Sequence, residues 1–304
     1  MSWYEELDKW AADYLPDMEY EKDAPLDRYT SFRIGGPARR IAFPRSGEAA
    51  VLLVSHALEL GARPFVLGNG TNVIFPDEGV ERLVICTRDM AGVAAGAVAG
   101  EITAECGASL AKIAVFAQKA GLSGLEFAHG IPGSLGGAVC MNAGAYGGEM
   151  KDVVVSCRYI TEKGDIKEIP LEKMELSYRH SFFSERNLCI TSVKMKLAKG
   201  EREKIKDRMD TLMERRKDKQ PLEYPSAGST FKRPEGDFAA RLIEVCGLKG
   251  TACGGAEVST KHSGFIINKD NATFDDVMGV VDIVKQKVKE QTGVTLECEV
   301  LIMK

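Results

Sequence analysis

Residues 121–148 read GLSGLEFAHGIPGSLGGAVCMNAGAYGG, and nine of the chain's 31 glycines fall inside them. Glycine is about a tenth of the 304 residues, against about 7% in ordinary usage, and the excess is concentrated here. No G-X-Y period runs through it, which excludes a collagen helix. Glycine serves where a backbone must turn through positive φ or lie close against another group. A second place of this kind lies upstream, at residues 64–75, PFVLGNGTNVIF, where a glycine turn separates two apolar runs.

The turn Gly68-Asn69-Gly70-Thr71-Asn72 reads either as a tight hairpin or as a nest of N–H groups aimed at one anion. Two glycine-dense loops exceed what two hairpins need. Asn69, Thr71, Asn72, Ser134, Asn142 and Tyr146 add polar handles, so the pair could grip a diphosphate from both sides. The G-x-G-x-x-G fingerprint is missing in its proper context, a strand and a helix followed by a ribose-binding acid. A dinucleotide would therefore bind in another way than in a Rossmann fold.

Outward from these loops the chain alternates irregularly between helix and strand patterns. Helices are predicted over 2–15 (Trp3, Leu7, Trp10 and Tyr14 on one face), 46–60 (Ser46 as N-cap, Gly61 past the end), 110–120 (closed by Gly121), 200–217, 238–246 and 273–292. Strands are predicted over 38–44, near 82–87, 99–106, 152–160, 165–169, 188–197, 264–268 and 294–302. Without regular β-α-β alternation this reads as α+β. The length suggests two compact units, with Pro221 and Pro225 marking an entrance. The division expected is 1–198, in parts of about 1–88 and 89–198, then 199–304.

Lys plus Arg is 40 and Asp plus Glu is 44, a net charge of −4, which argues against general nucleic-acid binding. The basic run from Lys204 to Lys219 reads as a solvated helix face. No apolar stretch of about eighteen residues exists to span a membrane. The eight cysteines form no C-x-x-C pair, so no metal site is expected, and they read as small core residues. The first ten residues, MSWYEELDKW, lack the pattern of a signal peptide, so the cytoplasm is the expected location.

Four segments in order, LGNGTNVIFPDEGV, GIPGSLGGAVCMNAGAYGGE, SYRHSFF and PSAGSTFKRP, resemble the UDP-N-acetylenolpyruvoylglucosamine reductase family from about Pro25 to Val300. The resemblance implies an FAD-binding region of the vanillyl-alcohol oxidase/p-cresol methylhydroxylase type, followed by an α+β substrate domain. It implies non-covalent FAD, NADPH as co-substrate, and UDP-GlcNAc-enolpyruvate as the molecule reduced in peptidoglycan precursor synthesis. The FAD pyrophosphate would lie on Gly68, Asn69, Gly70, Thr71 and Asn72 and on Ile131, Pro132, Gly133, Ser134, Gly136, Gly137 and Ala138. Asn142, Ala143, Gly144 and Tyr146 would add contacts, and Arg33, in SFRIGG, would lie near the flavin. Arg33 by itself could equally be a surface ion pair.

Reducing an enol ether conjugated to a carboxylate puts negative charge on the α carbon and the carboxylate. Such a site needs a fixed cation, a proton donor and a group that orients them. By resemblance the cation is Arg179, the donor Ser229 and the third group Glu299. Read alone, Arg179 could be structural, Ser229 a turn residue and Glu299 a solvent-facing strand carboxylate. Leu301 stands where the family often has Arg. Tyr178 is a candidate for binding the substrate, and Lys219, Lys232, Arg233 and His262 are candidates for holding its UDP moiety; Lys219 could instead complement a helix dipole, and His262 could be structural. With one strand and one helix between Arg179 and Ser229, the chain resembles the shorter form of the family, without the tyrosine loop. A monomer is compatible with all of this. The readings weighed against it are an FAD oxidase of the same fold and a nucleotide-binding regulator without catalysis.

Overall fold

The computed structural model describes residues 2–303. It divides into two compact units built from interleaved segments. Of the described residues, the first holds 2–23, Arg39–Asn69 and Arg82–Glu214. The second holds Ala24–Ala38, Gly70–Glu81 and 215–303. A single cut at 198/199 does not describe this arrangement. Phe32, Ile34 and Ile74 are buried with Val277, Val281 and Leu296 in the second core, so two N-terminal segments belong with the C-terminal part.

Among the described residues, the first unit is built on two larger sheets, of four and five strands, beside two short two-stranded pairings. One sheet has the order Glu19–Pro25, Pro37–Phe43, Val80–Cys86, Phe65–Leu67. The other has the order Ile166–Pro170, Val154–Ile160, Ile190–Lys196, Glu101–Glu105, Val93–Ala95. Helices α1 (Trp3–Tyr14), α2 (Gly47–Glu59), α3 (Leu110–Lys119) and α4 (Leu135–Cys140) pack around them. Side-chain caps start two of these helices: Ser46 accepts from the Ala49 amide and Ser109 from the Lys112 amide. Gly61 and Gly121, at φ +73° and +69°, follow the ends of α2 and α3 as anticipated. In Ile190–Lys196, Ile190 pairs with Tyr159 while Ser192 pairs with Arg158, so Thr191 is an extra, bulged residue. The bulge restores inward phase to Val193 and Met195, three and five residues after Ile190.

The second unit is a four-stranded sheet, Ser226–Ser229, Phe265–Asn268, Ala256–Val258, Ala252–Cys253, with α6 (Ala239–Val245) and α7 (Phe274–Thr292). The division at Glu214/Arg215 falls within α5 (Arg202–Lys219), which buries only Ile205, Met209 and Leu212. α7 opens on a capping box, Thr273 with Asp276, and closes on Gly293 at φ +77°. Val277, Val280, Val281, Val284 and Val288 form its buried stripe.

Three expectations change. Residues 64–75 are not a hairpin: Phe65–Leu67 pairs in parallel with Val84–Cys86, whereas Val73–Ile74 pairs in parallel with Leu301–Ile302. The stretch 294–302 is mostly not a strand; beyond Leu301–Ile302 it makes one bridge, Cys298 to Phe231. The glycine stretch contains a helix, α4, where a continuous loop was expected. No helix among the described residues is long and apolar enough to cross a membrane.

Candidate functional site

In the first unit the two glycine loops touch. A Cβ on Gly68 would stand 2.1 Å from Ser134 Oγ, so only glycine lets the strand end lie against this buried serine. Asn69 Nδ2 donates to the Pro132 carbonyl at 3.3 Å. Ser134 stands at the N-cap of α4 without a side-chain cap bond. The amides of Leu135 and Gly136 donate to the carbonyls of Ala108 and Cys106 at 2.9 and 2.7 Å. Those two amides are therefore committed inside the fold, and of the two only Gly136 was expected in the cradle, where its amide is not available as a donor. Among the described residues, the amides of Asn69, Gly133 and Ser134 have no protein acceptor. They offer donors beside a backbone stripped of side chains, which fits a phosphate group. Gly137 is exposed, and a Cβ there would meet only Ser134 Oγ, at 3.5 Å.

Asn142 is fully buried at 0% exposure. Its Nδ2 donates to Glu149 Oε2 at 2.6 Å and to the Ser177 carbonyl at 3.1 Å, and its Oδ1 accepts from the Lys151 amide at 2.9 Å. Both amide hydrogens are used, so Asn142 has no donor for a cofactor, and its expected role as a direct ligand is corrected. The Ala143 amide donates to the Ala138 carbonyl, and Gly144 pairs with Glu149 in a small hairpin. At the tip of that hairpin Tyr146 is 41% exposed at φ +55°.

Arg179 lies in a two-residue turn closed by Ser177 and His180, each donating its amide to the other's carbonyl at 3.1 and 3.2 Å. Its φ is +54°, a left-handed conformation unusual for a residue with a Cβ. The guanidinium lies 5.1 Å from the centre of the Tyr178 ring, and Tyr178 itself is exposed. Downstream, Ser181 and Ser184 both donate to the Cys140 carbonyl at the end of α4, at 2.7 and 2.9 Å. Two segments that looked separate in sequence, the glycine stretch and SYRHSFF, are thus bonded together.

The second unit brings Ser229 and Glu299 together. The Glu299 amide donates to the Thr230 carbonyl at 2.8 Å, next to Ser229. Asn72 Nδ2 donates to the Glu299 carbonyl at 3.2 Å, so Asn72 holds the Glu299 backbone. Gly228, at φ +75° with open space around its missing Cβ, precedes the half-buried Ser229. A residue that sequence reasoning passed over, Ser31, braces this group: its Oγ donates to the carbonyls of Ser226 and Gly70 at 2.6 and 3.3 Å. Gly70 needs φ +60° and would place a Cβ 2.1 Å from the Tyr29 carbonyl oxygen. Thr71 is half-buried between Gly70 and Asn72. Arg33, two residues after Ser31, is exposed at φ +57° and makes no ion pair among the described residues.

The candidate cations differ among themselves. Lys219 is exposed as the last residue of α5. Lys232 is 3.4 Å from Glu297, and Arg233 lies over the Phe238 ring at 4.5 Å. Burial pushes the His262 imidazole below its ordinary pKa. Its Nδ1 accepts the Gly264 amide at 3.1 Å, which leaves the proton of the neutral ring on Nε2.

Residues 38–170 match a family profile described as an FAD binding domain. Residues 220–303 match one described as the C-terminal domain of UDP-N-acetylenolpyruvoylglucosamine reductase. The enzyme of that name from Clostridium novyi is 46% identical over 98% of this chain and 96% of its own length. The one from Lactococcus lactis subsp. cremoris is 44% identical over 95% of this chain and 96% of its own. The crystal structure of UDP-N-acetylenolpyruvylglucosamine reductase from Thermus caldophilus superposes with a TM-score of 0.81 at 34% identity, covering 94% of this chain and all of that one. Alkyldihydroxyacetonephosphate synthase shares the fold alone, with a TM-score of 0.50 at 22% identity over 64% of this chain and 44% of its own.

Proposed function

The chain belongs to the UDP-N-acetylenolpyruvoylglucosamine reductase family, and from that premise we propose that it is an FAD-dependent reductase of UDP-GlcNAc-enolpyruvate with NADPH as the electron source. The product would be UDP-N-acetylmuramate, a peptidoglycan precursor. The first unit would hold the flavin and the second most of the substrate. The observation that carries the reading is the pairing in the second unit: Ser229 follows a left-handed Gly228 and lies one residue from the backbone bond that ties Thr230 to Glu299.

The chemistry that FAD supplies when bound is hydride exchange, from NADPH in one half-reaction and to the enolpyruvyl β carbon in the other. The amides of Asn69, Gly133 and Ser134 would bind its pyrophosphate. Arg179 would bind the enolpyruvyl carboxylate, where its fork can take both oxygens. As negative charge moves onto the α carbon and carboxylate, that fixed cation stabilises the enolate. Ser229 Oγ would then give its proton to the α carbon. A serine hydroxyl is a weak acid in water, so the role requires that it be held against the carbanion. Glu299, fixed through its backbone to Thr230 and Asn72, would orient that donor.

Ser229→Ala tests this. Bound flavin and its reduction by NADPH are expected to be unchanged, while reoxidation by the enolpyruvyl substrate slows by about 10²–10⁴-fold, the range for loss of a general acid. Undiminished reoxidation would remove Ser229 as the proton donor. A protein that takes up no FAD would remove the flavoenzyme reading itself.

A further inference from the structure

The Asn142 carboxamide lies inside the glycine-rich stretch, and protein groups take both its amide hydrogens. It joins three main-chain or side-chain partners, Glu149, Lys151 and Ser177. Glu149 is itself oriented, because its other carboxylate oxygen takes Lys151 Nζ at 2.5 Å. The Ser177 carbonyl is the informative partner. It also accepts the His180 amide, and so it closes the turn that carries Arg179 at φ +54°. A residue with a Cβ stays in that conformation only when its surroundings hold it there. Ser181 and Ser184 anchor the downstream side of the turn to Cys140. Asn142 anchors the upstream side.

We propose that Asn142 is a positioning residue for Arg179: its buried carboxamide, fixed by Glu149 and Lys151, holds the Ser177 carbonyl and keeps the Arg179 turn in its left-handed form. The consequence for activity rests on the reading of Arg179 as the carboxylate-binding cation.

A charge-neutral swap separates this role from simple bracing of the 142–151 hairpin. In Asn142→Asp with Glu149→Gln, the new amide at 149 can donate to the new carboxylate at 142, and the Lys151 amide keeps its acceptor. The Ser177 carbonyl, however, loses the donor from residue 142 and faces an oxygen there. In the flavin-bound swap variant, flavin content and melting temperature are expected to return close to wild type. Native-state hydrogen exchange at the His180 and Ser177 amides is expected to stay about ten-fold faster, the scale of one lost hydrogen bond. Reoxidation by the enolpyruvyl substrate is expected to slow at least comparably, with reduction by NADPH unchanged. In an Arg179→Ala background the Asn142 change should add no further loss, since both act through one group. Asn142→Ala, which removes the donor without adding a charge, gives the same exchange readout if the swap folds poorly. Wild-type exchange at His180 in both variants would overturn the proposal. So would a swap that restores substrate reduction along with flavin content. Faster exchange combined with an Arg179→Ala enzyme of full activity would support the clamp and refute the catalytic reading of Arg179, so the two failures are distinguishable.

Discussion

Gly68 and Gly137 both belong to the proposed cradle, but they are glycine for different reasons. Gly68 has a neighbour where its Cβ would go, the buried Ser134 Oγ at 2.1 Å, whereas Gly137 has 3.5 Å of room to the same atom. Gly68→Ala is therefore expected to lower the melting temperature, and Ser134→Ala in the same chain to recover part of the loss, because Ser134 Cβ would still lie 3.3 Å away. Gly137→Ala is expected to leave stability unchanged or raise it by up to about 1 kcal/mol, since alanine suits a helix better. If Gly137 belongs to the proposed cradle, the cost of the added methyl group should appear in FAD affinity. Fluorescence titration with FAD checks this, and wild-type affinity would take Gly137 out of the cradle. Side-chain identity in these loops was legible in sequence; side-chain direction was not. Asn142 and Asn72 look like equivalent polar handles, yet one is saturated inside the first unit and the other ties down Glu299.

At the scale of single elements, α1 shows how a local pattern is completed by partners far away in sequence. Leu7 and Ala11 give it a buried stripe, and Trp10 stacks on His56 of α2 at 4.3 Å. Its polar anchor is Asp8, which accepts from Arg40 Nε at 2.6 Å and Nη2 at 2.9 Å and from the Tyr20 hydroxyl at 2.9 Å. Burial of Asp8 favours the neutral acid, but the bonds from Arg40, Lys22 and Tyr20 outweigh it and hold the carboxyl near pKa 2, against 3.8 ordinarily. A depressed carboxylate stabilises the fold above its ordinary pKa, and that contribution is lost as pH falls from about 4 to 2. The shift corresponds to about 2 kcal/mol. Asp8→Asn should thus melt below wild type at pH 7, with the two melting curves converging as the pH approaches 2; a constant gap would contradict this linkage. α4 was not legible, because a helix with two adjacent glycines, Gly136 and Gly137, has poor intrinsic propensity. It forms where its first two amides meet the carbonyls of Ala108 and Cys106. The stretch 294–302 errs the other way: its apolar alternation suits a strand, but only Leu301–Ile302 has a ladder partner.

Over the whole molecule, the eight cysteines are unpaired and partly or fully buried. Burial pushes Cys86 up to about 11 and Cys189 up to about 12, which keeps these thiols protonated and poor nucleophiles at neutral pH. Acid precipitation of the FAD-loaded protein is accordingly expected to release all its flavin into the supernatant. Flavin retained in the pellet would show a covalent bond to the protein and overturn the expectation of non-covalent FAD. The sequence by itself determined the mixed α+β class, most helices and their caps, the two glycine loops, and the family to which the chain belongs. These are matters of local propensity, spacing and motif order, all written along one dimension. Only the tertiary structure decided that the turn at 68–72 joins two parallel pairings instead of closing a hairpin. It alone sent segments 24–38 and 70–81 to the second core, and turned Asn142 from a ligand candidate into a brace behind Arg179. The physical reason is common to all three: which carbonyl a donor meets, and which core an apolar side chain enters, depends on partners tens to hundreds of residues away.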